Sequence, residues 1–310
     1  MANKIVILGS LNLDSILQIS RLPQPGETLS MTGKNSAPGG KGANQAVAAA
    51  RAGGAQTAFI GRVGQDETGN FLLETLKKDH IETDHIVVDH QKDTGQAYIL
   101  LQTTTGQNSI LVYGGANQNL SLTDVENAHS IIKEADFLIS QFETPVEVTT
   151  AAFVYAHSVG VKTILNPAPA LDQIPAQLLE ATDLICPNET EAQALSNVSV
   201  TDLNSMRQAA AFFQKQGCVR TIITVGARGA YIYDNQNKID QFVDAFKVKA
   251  VDTTAAGDTF IGALGAVLKT DFSNLEAATL YANRASSLAV QKLGAQPSIP
   301  TADQVRSYFN

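Results

Sequence analysis

Residues 252–260, Asp252-Thr253-Thr254-Ala255-Ala256-Gly257-Asp258-Thr259-Phe260, set small side chains, a glycine and one carboxylate at the mouth of an Ala-, Leu- and Gly-rich helical run. The small residues Ala255, Ala256 and Gly257 let a ligand approach the backbone, and the first N–H groups of a helix have no internal partners. Those donors and the positive dipole end suit a phosphate, or the negative charge that develops on one during transfer. A carboxylate at such an end repels an anion, which makes sense if Asp258 removes a proton from an attacking hydroxyl. The plainer reading makes Asp258 a first-turn acid complementing the dipole, with Asp252 or a threonine as cap. The segment alone leaves both readings open.

A second turn, Pro38-Gly39-Gly40-Lys41-Gly42-Ala43-Asn44-Gln45, opens an alanine-rich helix. It matches neither standard nucleotide loop: Gln45 stands where the last glycine of GxGxxG belongs, and Gly42 follows Gly40-Lys41 where a Walker loop has Ser or Thr. What remains is a backbone open to close approach, with Lys41 and Asn44 able to donate to hydroxyl groups. A polyol site or a plain helix start both fit. Asn12 and Asp14 follow the first strand pattern and, two residues apart in extended chain, point to one face, so they can grip adjacent hydroxyls or act as surface caps. Glu143 and Asn166 occupy the same topological position after other strand patterns, where open α/β sheets bind ligands.

Asn188-Glu189-Thr190-Glu191 follows another strand pattern and reads either as a capping run or as a carboxylate organising Mg²⁺ and its waters. Thr224-Val225-Gly226-Ala227-Arg228-Gly229 is a tight turn on which a nucleotide can pack. The five histidines show no HxxxH or HExxH spacing, and Cys186 and Cys218 lack ligand spacing, which argues against zinc hydrolysis and serine acyl transfer.

The elements that must position these groups follow βαβ grammar. Strand patterns at 4–9, 57–61, 136–140, 162–166, 183–185 and 220–225 alternate with helical ones at 41–52, 67–79, 145–159 and 201–216. A mainly parallel sheet with helices on both faces is expected. Segments 13–37 and 94–113 break the pattern and read as short antiparallel strands, either one small sheet acting as a lid or two ordinary hairpins. Helical patterns at 260–269 and 274–293 and a short one after Pro300 finish the chain.

With 310 residues the chain can bury a sizeable core, and a net charge of −8 without a Lys/Arg block argues against nucleic acid. The N-terminus runs into Ile5-Val6-Ile7-Leu8 with no charged region upstream, and no apolar run reaches membrane-spanning length. A cytoplasmic protein without a membrane partner is expected.

These pieces together resemble the ribokinase-like (phosphofructokinase B-type) carbohydrate kinase family over essentially the whole chain. The resemblance is carried by Gly9-Ser10-Leu11-Asn12-Leu13-Asp14, Pro25-Gly26-Glu27-Thr28, residues 39–46, Asn166-Pro167-Ala168-Pro169-Ala170, residues 187–191, residues 252–260 and Gly294-Ala295-Gln296-Pro297-Ser298. It implies an α/β fold: a three-layer α/β/α sandwich with a mainly parallel central sheet, one kinase domain over 1–310, and a discontinuous β lid from about 13–37 and 94–113. It implies ATP-dependent phosphorylation of ribose at its 5-hydroxyl, with deoxyribose, another small sugar or a nucleoside as alternative acceptors and a non-catalytic sugar sensor as a remote one.

By the same resemblance Asp258 is the base, and the backbone of Ala255, Ala256 and Gly257 is the anion hole. Asn12, Asp14, Gly39, Gly40, Lys41, Asn44 and Glu143 are sugar contacts. Asn188, Thr224, Gly226, Gly229, Gly257 and Asn283 are nucleotide contacts, with Glu191 ordering Mg²⁺ through water. Asp252, Thr254, Ala289, Lys292, Gly294 and Ser298 match the segments that hold K⁺ in the family, and lids of two subunits pair into a homodimer.

Overall fold

The computed structural model describes residues 2–105 and 107–308. Its strands are β1 (Lys4–Leu8), β2 (Asn12–Ile19), β3 (Gly33–Gly39), β4 (Gln56–Gly64), β5 (Glu82–Asp89), β6 (Gly95–Gln102), β7 (Asn108–Tyr113), β8 (Phe137–Ser140), β9 (Lys162–Leu165), β10 (Leu184–Ile185), β11 (Arg220–Thr224), β12 (Gly229–Asp234) and β13 (Ile239–Asp244).

Among the described residues, nine strands form one sheet in the order β13-β12-β11-β10-β9-β8-β1-β4-β5. From β11 to β5 every pairing is parallel, and the β12–β13 hairpin closes the far edge antiparallel. Because both sheet faces are covered, central strands are mainly apolar. In β1, Ile5 and Ile7 enter one core while Val6 and Leu8 enter the other, the two-residue period of a strand buried on both sides. Helices Lys41–Val47, Glu67–Lys78, Ala256–Val267 and Leu275–Ala289 pack on the first face; Val146–Ser158 and Ala176–Glu180 pack on the second. No helix among the described residues is long and apolar enough to cross a membrane.

The chain leaves β1 for β4 and β5 on one side, then crosses to β8 on the other. The strand order therefore reverses between β1 and β8, opening a crevice beyond their carboxyl ends. Two residues set the helix positions there. A Cβ on Gly262 would lie 2.6 Å from the Ala48 Cβ, so its absence lets Ala256–Val267 pack backbone-close on the helix that begins at Lys41. Asp258, one turn before Gly262, is thereby brought down onto the side chains of Asn44 and Gln45.

The two β-rich segments form one four-stranded sheet, β3-β2-β6-β7, so the single-sheet alternative holds. The expectation of antiparallel strands needs correction at its centre, where β2 and β6 pair parallel while β2–β3 and β6–β7 are antiparallel hairpins. Both hairpins leave the body with their first arms side by side, Asn12 opposite Gly95, which makes the central pair run the same way. Strand β5 and the β12–β13 hairpin were not legible as strands: β5 carries two aspartates and a histidine, and β13 begins in a polar turn. The helix expected over 260–269 starts earlier, because Ala255 adopts the left-handed conformation (φ 57°) and caps a helix from Ala256.

Candidate active site

The crevice is built from short, sterically tight turns. Gly40 has φ +90° and precedes the first residue of its helix, and a Cβ there would sit 2.8 Å from both the Asn12 nitrogen and the Ser10 carbonyl. Any side chain at Gly39 would overlap the Asp14 carboxyl group. The double glycine is thus the condition for Asn12 and Asp14 to lie against the Lys41 helix. From the end of β8, Glu143 Oε2 accepts the Ser10 hydroxyl at 2.5 Å and the Lys41 backbone N–H at 3.0 Å, stitching β1, β8 and that helix together.

Asn12 is buried, and its Oδ1 accepts from Asn117 Nδ2 at 2.8 Å. Asn117 also brackets Leu11, accepting its N–H at 2.9 Å and donating to its carbonyl at 3.0 Å. Sequence reading missed Asn117, because its partner lies more than a hundred positions away. It missed Ser10, Gln45 and Gln141 as well.

Asp258 is buried, with Oδ2 accepting from Asn44 Nδ2 and Oδ1 from Gln45 Nε2, both at 3.0 Å. Burial pushes its carboxyl above the ordinary aspartate value, against Lys41 and the two amide donors. Burial likewise raises Asp14 to about 7, helped by Glu143 and Asp258 and opposed by Lys41. Burial pulls the Lys41 ammonium down, but the Asp258, Glu143, Glu191 and Asp14 carboxylates outweigh it and hold it above its ordinary value. One cation among four acids ties the site together. The Asn44 Oδ1 is buried without a partner, an acceptor ready for a ligand hydroxyl.

Above Asp258 lies the start of helix Ala256–Val267. Its Ala256 N–H is taken by the Thr253 carbonyl at 3.2 Å, whereas the N–H groups of Gly257 and Asp258 have no acceptor among the described residues. A Cβ on Gly257 would meet nothing within 4 Å, so this backbone faces open space. A cavity of about 210 Å³ joins that turn to Lys41, Asn166, Asn188 and Glu191. It continues into a cleft of about 530 Å³ bounded by Thr224, Gly226, Gly229, Phe246, Asn283 and Val290. Asn283 holds the cleft wall, donating to the Val243 and Asp244 carbonyls at 3.1 and 3.2 Å. Asn188 caps helix Glu189–Ser196 in a reciprocal capping box with Glu191, so the capping reading of that acidic turn is realised at the rim of the same cavity. Burial raises Glu191, with the Asn188 N–H and Lys41 opposing it.

Of the remaining expected residues, Asp252, Thr254 and Gly294 meet beside this turn. Asp252 Oδ1 accepts the Thr254 N–H and hydroxyl at 2.9 and 2.6 Å, and Oδ2 accepts the Gly294 N–H at 2.9 Å. Despite burial, these bonds hold the Asp252 carboxyl below its ordinary value. The Val290 carbonyl accepts from the Val251 and Asp252 N–H groups, pinning the loop before the anion turn to the segment after helix Leu275–Ala289. Ser298 is buried and donates to the Ala295 carbonyl at 2.7 Å, which leaves its oxygen lone pairs unengaged.

Polar groups gathered at a sheet switch point, a buried carboxylate and a donor-rich helix start opening into a long cleft suit transfer of a phosphoryl group to an alcohol. The chain belongs to the pfkB family of carbohydrate kinases, whose model matches residues 2–302. It is similar to a ribokinase of Staphylococcus aureus (strain COL), 47% identical over 306 residues, covering 98% of this chain and 99% of that protein. A deoxyribokinase of Salmonella typhi is 32% identical over 306 residues, covering 99% and 98%. The structure of Arabidopsis thaliana ribokinase complexed with ribose and ATP matches with a TM-score of 0.89 at 33% identity, covering 99% of this chain and 98% of that one. The expected three-layer α/β/α architecture is borne out by that likeness.

Proposed function

We propose that this chain transfers the γ-phosphoryl group of ATP to the 5-hydroxyl of D-ribose. The observation that carries the reading is the place of Asp258: buried between the Asn12–Asp14–Gly39–Gly40–Asn44 pocket and the turn whose free N–H groups face the nucleotide-sized cleft. Ribose lies against Asn12, Asp14, Lys41, Asn44 and Glu143, where carboxylates accept its hydroxyl protons and Lys41 donates. ATP lies along Thr224, Gly226, Gly229 and Asn283 with its phosphates directed past Asn188 to Gly257.

In the reaction the 5-oxygen attacks the γ-phosphorus, its proton passes to Asp258, and the bond to the β-phosphate oxygen breaks to release ADP. Charge developing on the transferring group meets the Gly257 and Asp258 N–H groups and the helix dipole. Glu191, at the rim of the cavity, would help to hold Mg²⁺ brought in with ATP, and the ion would supply charge neutralisation on the phosphates. The segments carrying Asp252, Thr254, Ala289, Lys292, Gly294 and Ser298 would hold K⁺, which would supply positive charge that braces the anion turn; the Asp252 contact to Gly294 supports this reading.

The small sheet acts as a lid. Its inner face, including Asp14, Ile16, Ile99 and Leu101, and the body loops at Asp252, Thr254 and Gly294 enclose a space of about 540 Å³. Closing it excludes water, the competing acceptor. Edge strand β7 exposes Ile110, Leu111 and Val112, apolar surface that suits pairing with the lid of a second copy. A cytoplasmic location would supply ATP as co-substrate.

The deoxyribokinase likeness gives 2-deoxyribose as the competing acceptor. ADP release over a panel of sugars decides between them: ribose is expected to give the highest kcat/KM, and equal values for ribose and 2-deoxyribose would overturn the ribose assignment.

A further inference from the structure

Beneath Asp258 runs a chain of buried amides. The Gln45 Nε2 that donates to Asp258 Oδ1 at 3.0 Å also reaches Asn166 Oδ1 at 3.1 Å, and Gln45 Oε1 accepts from Gln141 Nε2 at 2.5 Å. Asn166 Nδ2 donates to the Cys186 carbonyl at 3.2 Å, anchoring the chain to the end of β10. Gln45 and Gln141 are both 0% exposed.

The polarity of this chain is set from the Asp258 end. An ionised carboxylate only accepts, so Gln45 must turn its nitrogen to Asp258 and its oxygen to Gln141, which must then present its own nitrogen. Gln141 Oε1 is left without a partner, pressed against the Cα of Gly9 where any side chain would displace it. Burying two glutamines, one with an orphaned oxygen, is costly where apolar side chains of equal size would fill the space. The compensation is found at Asp258. Asn44, the donor to the other carboxylate oxygen, faces the pocket and is offered to the sugar. Gln45 is sealed from it, so its bond persists through binding and transfer.

We propose that Gln45, oriented by Gln141 and Asn166, is a positioning residue that fixes the Asp258 carboxylate and keeps it ionised, leaving Oδ2 as the oxygen that receives the hydroxyl proton. The proposal rests on the reading of Asp258 as the base. Other charges facing Asp258 are Lys41 from its helix, Glu143 from the end of β8, Asp14 from β2 and Glu191 from helix Glu189–Ser196. Lys41 favours the carboxylate and the three acids oppose it, so the neutral Gln45 donor adds to Lys41 without adding charge to the sugar pocket.

The test is the pH dependence of kcat at saturating sugar and ATP, where the Asp14 ionisation that governs sugar binding no longer sets the limb, for the parent, Gln45→Met, Gln141→Met and Asp258→Asn with the best sugar of the panel. Losing a hydrogen bond to a charged group is expected to move the acid limb of Gln45→Met upward by about one to two pH units. Near neutral pH kcat is expected to fall on the order of tenfold or more, with sugar KM changed less than about threefold. Gln141→Met should move the limb the same way by less. A folded Gln45→Met with an unmoved acid limb overturns the proposal even if kcat falls, because looser packing lowers rate without moving a pKa. If Gln45→Met fails to fold, Gln141→Met carries the decision: a shifted limb supports the proposal and an unmoved one overturns it. Asp258→Asn that keeps turnover overturns the base assignment instead, so the two failures are distinguishable.

Discussion

In the proposed reading, Asp14 is the residue whose protonation most directly links the free site to sugar binding. Its carboxyl rises to about 7 through burial and the neighbouring Glu143 and Asp258. The folded value exceeds the unfolded one, so the folded state binds the extra proton between them. The stability this confers is complete at low pH and is lost as pH rises through about 7. Sugar hydroxyls donate to the carboxylate form, so sugar affinity should move oppositely. From about pH 6 to about pH 8, calorimetry should show sugar binding tightening while the melting temperature of the free protein falls. Asp14→Asn should flatten both trends, and a flat binding curve in the parent would contradict the assignment. Residues such as Asp14, Lys41 and Asp258 were legible in the sequence because charge in a glycine-rich setting is conspicuous. Gln45, Gln141 and Asn117 were not, since their roles come from partners 96 to 213 positions away.

At the level of elements, glycines decide what the strand and helix ends can hold. A Cβ on Gly257 meets no atom within 4 Å, so Gly257→Ala should leave folding stability unchanged or raise it by up to about 1 kcal/mol. The added methyl enters the space facing the phosphoryl group, so kcat should nevertheless fall at least about tenfold. A thermal melt and a steady-state assay on one sample check both halves. Gly39→Ala behaves differently, because the new side chain overlaps the Asp14 carboxyl. Overpacking of about 1–3 kcal/mol is expected to weaken sugar binding roughly ten- to a hundredfold with ATP affinity retained. Equal loss of both ligands would mean that the turn collapses as a whole. Sequence periodicity located the central parallel strands well because both their faces are buried. It failed at the edge strands β5 and β13, where one face or an edge meets solvent and polar residues blur the pattern.

For the whole molecule, the strand reversal beside β1 puts sugar-side and nucleotide-side groups on one crevice, and the four-stranded sheet stands over its mouth. Its parallel central pair could not be read from two separate hairpin signals, because register between distant segments is a tertiary property. The edge strand β7 leaves Leu111 61% exposed, and the lid pairing proposed here predicts a dimer in sedimentation velocity. Leu111→Lys should shift it toward monomer, and a monomeric parent would remove that part of the account. A proton taken up by Asp258 is proposed to join the two halves of the crevice. Single-turnover phosphoryl transfer from ATP to ribose by Asp258→Asn, with both affinities measured by calorimetry, tests it most directly. Near-parental binding of ribose and ATP is expected, with the transfer step slowed on the order of a thousandfold. Transfer within about tenfold of the parent would contradict it.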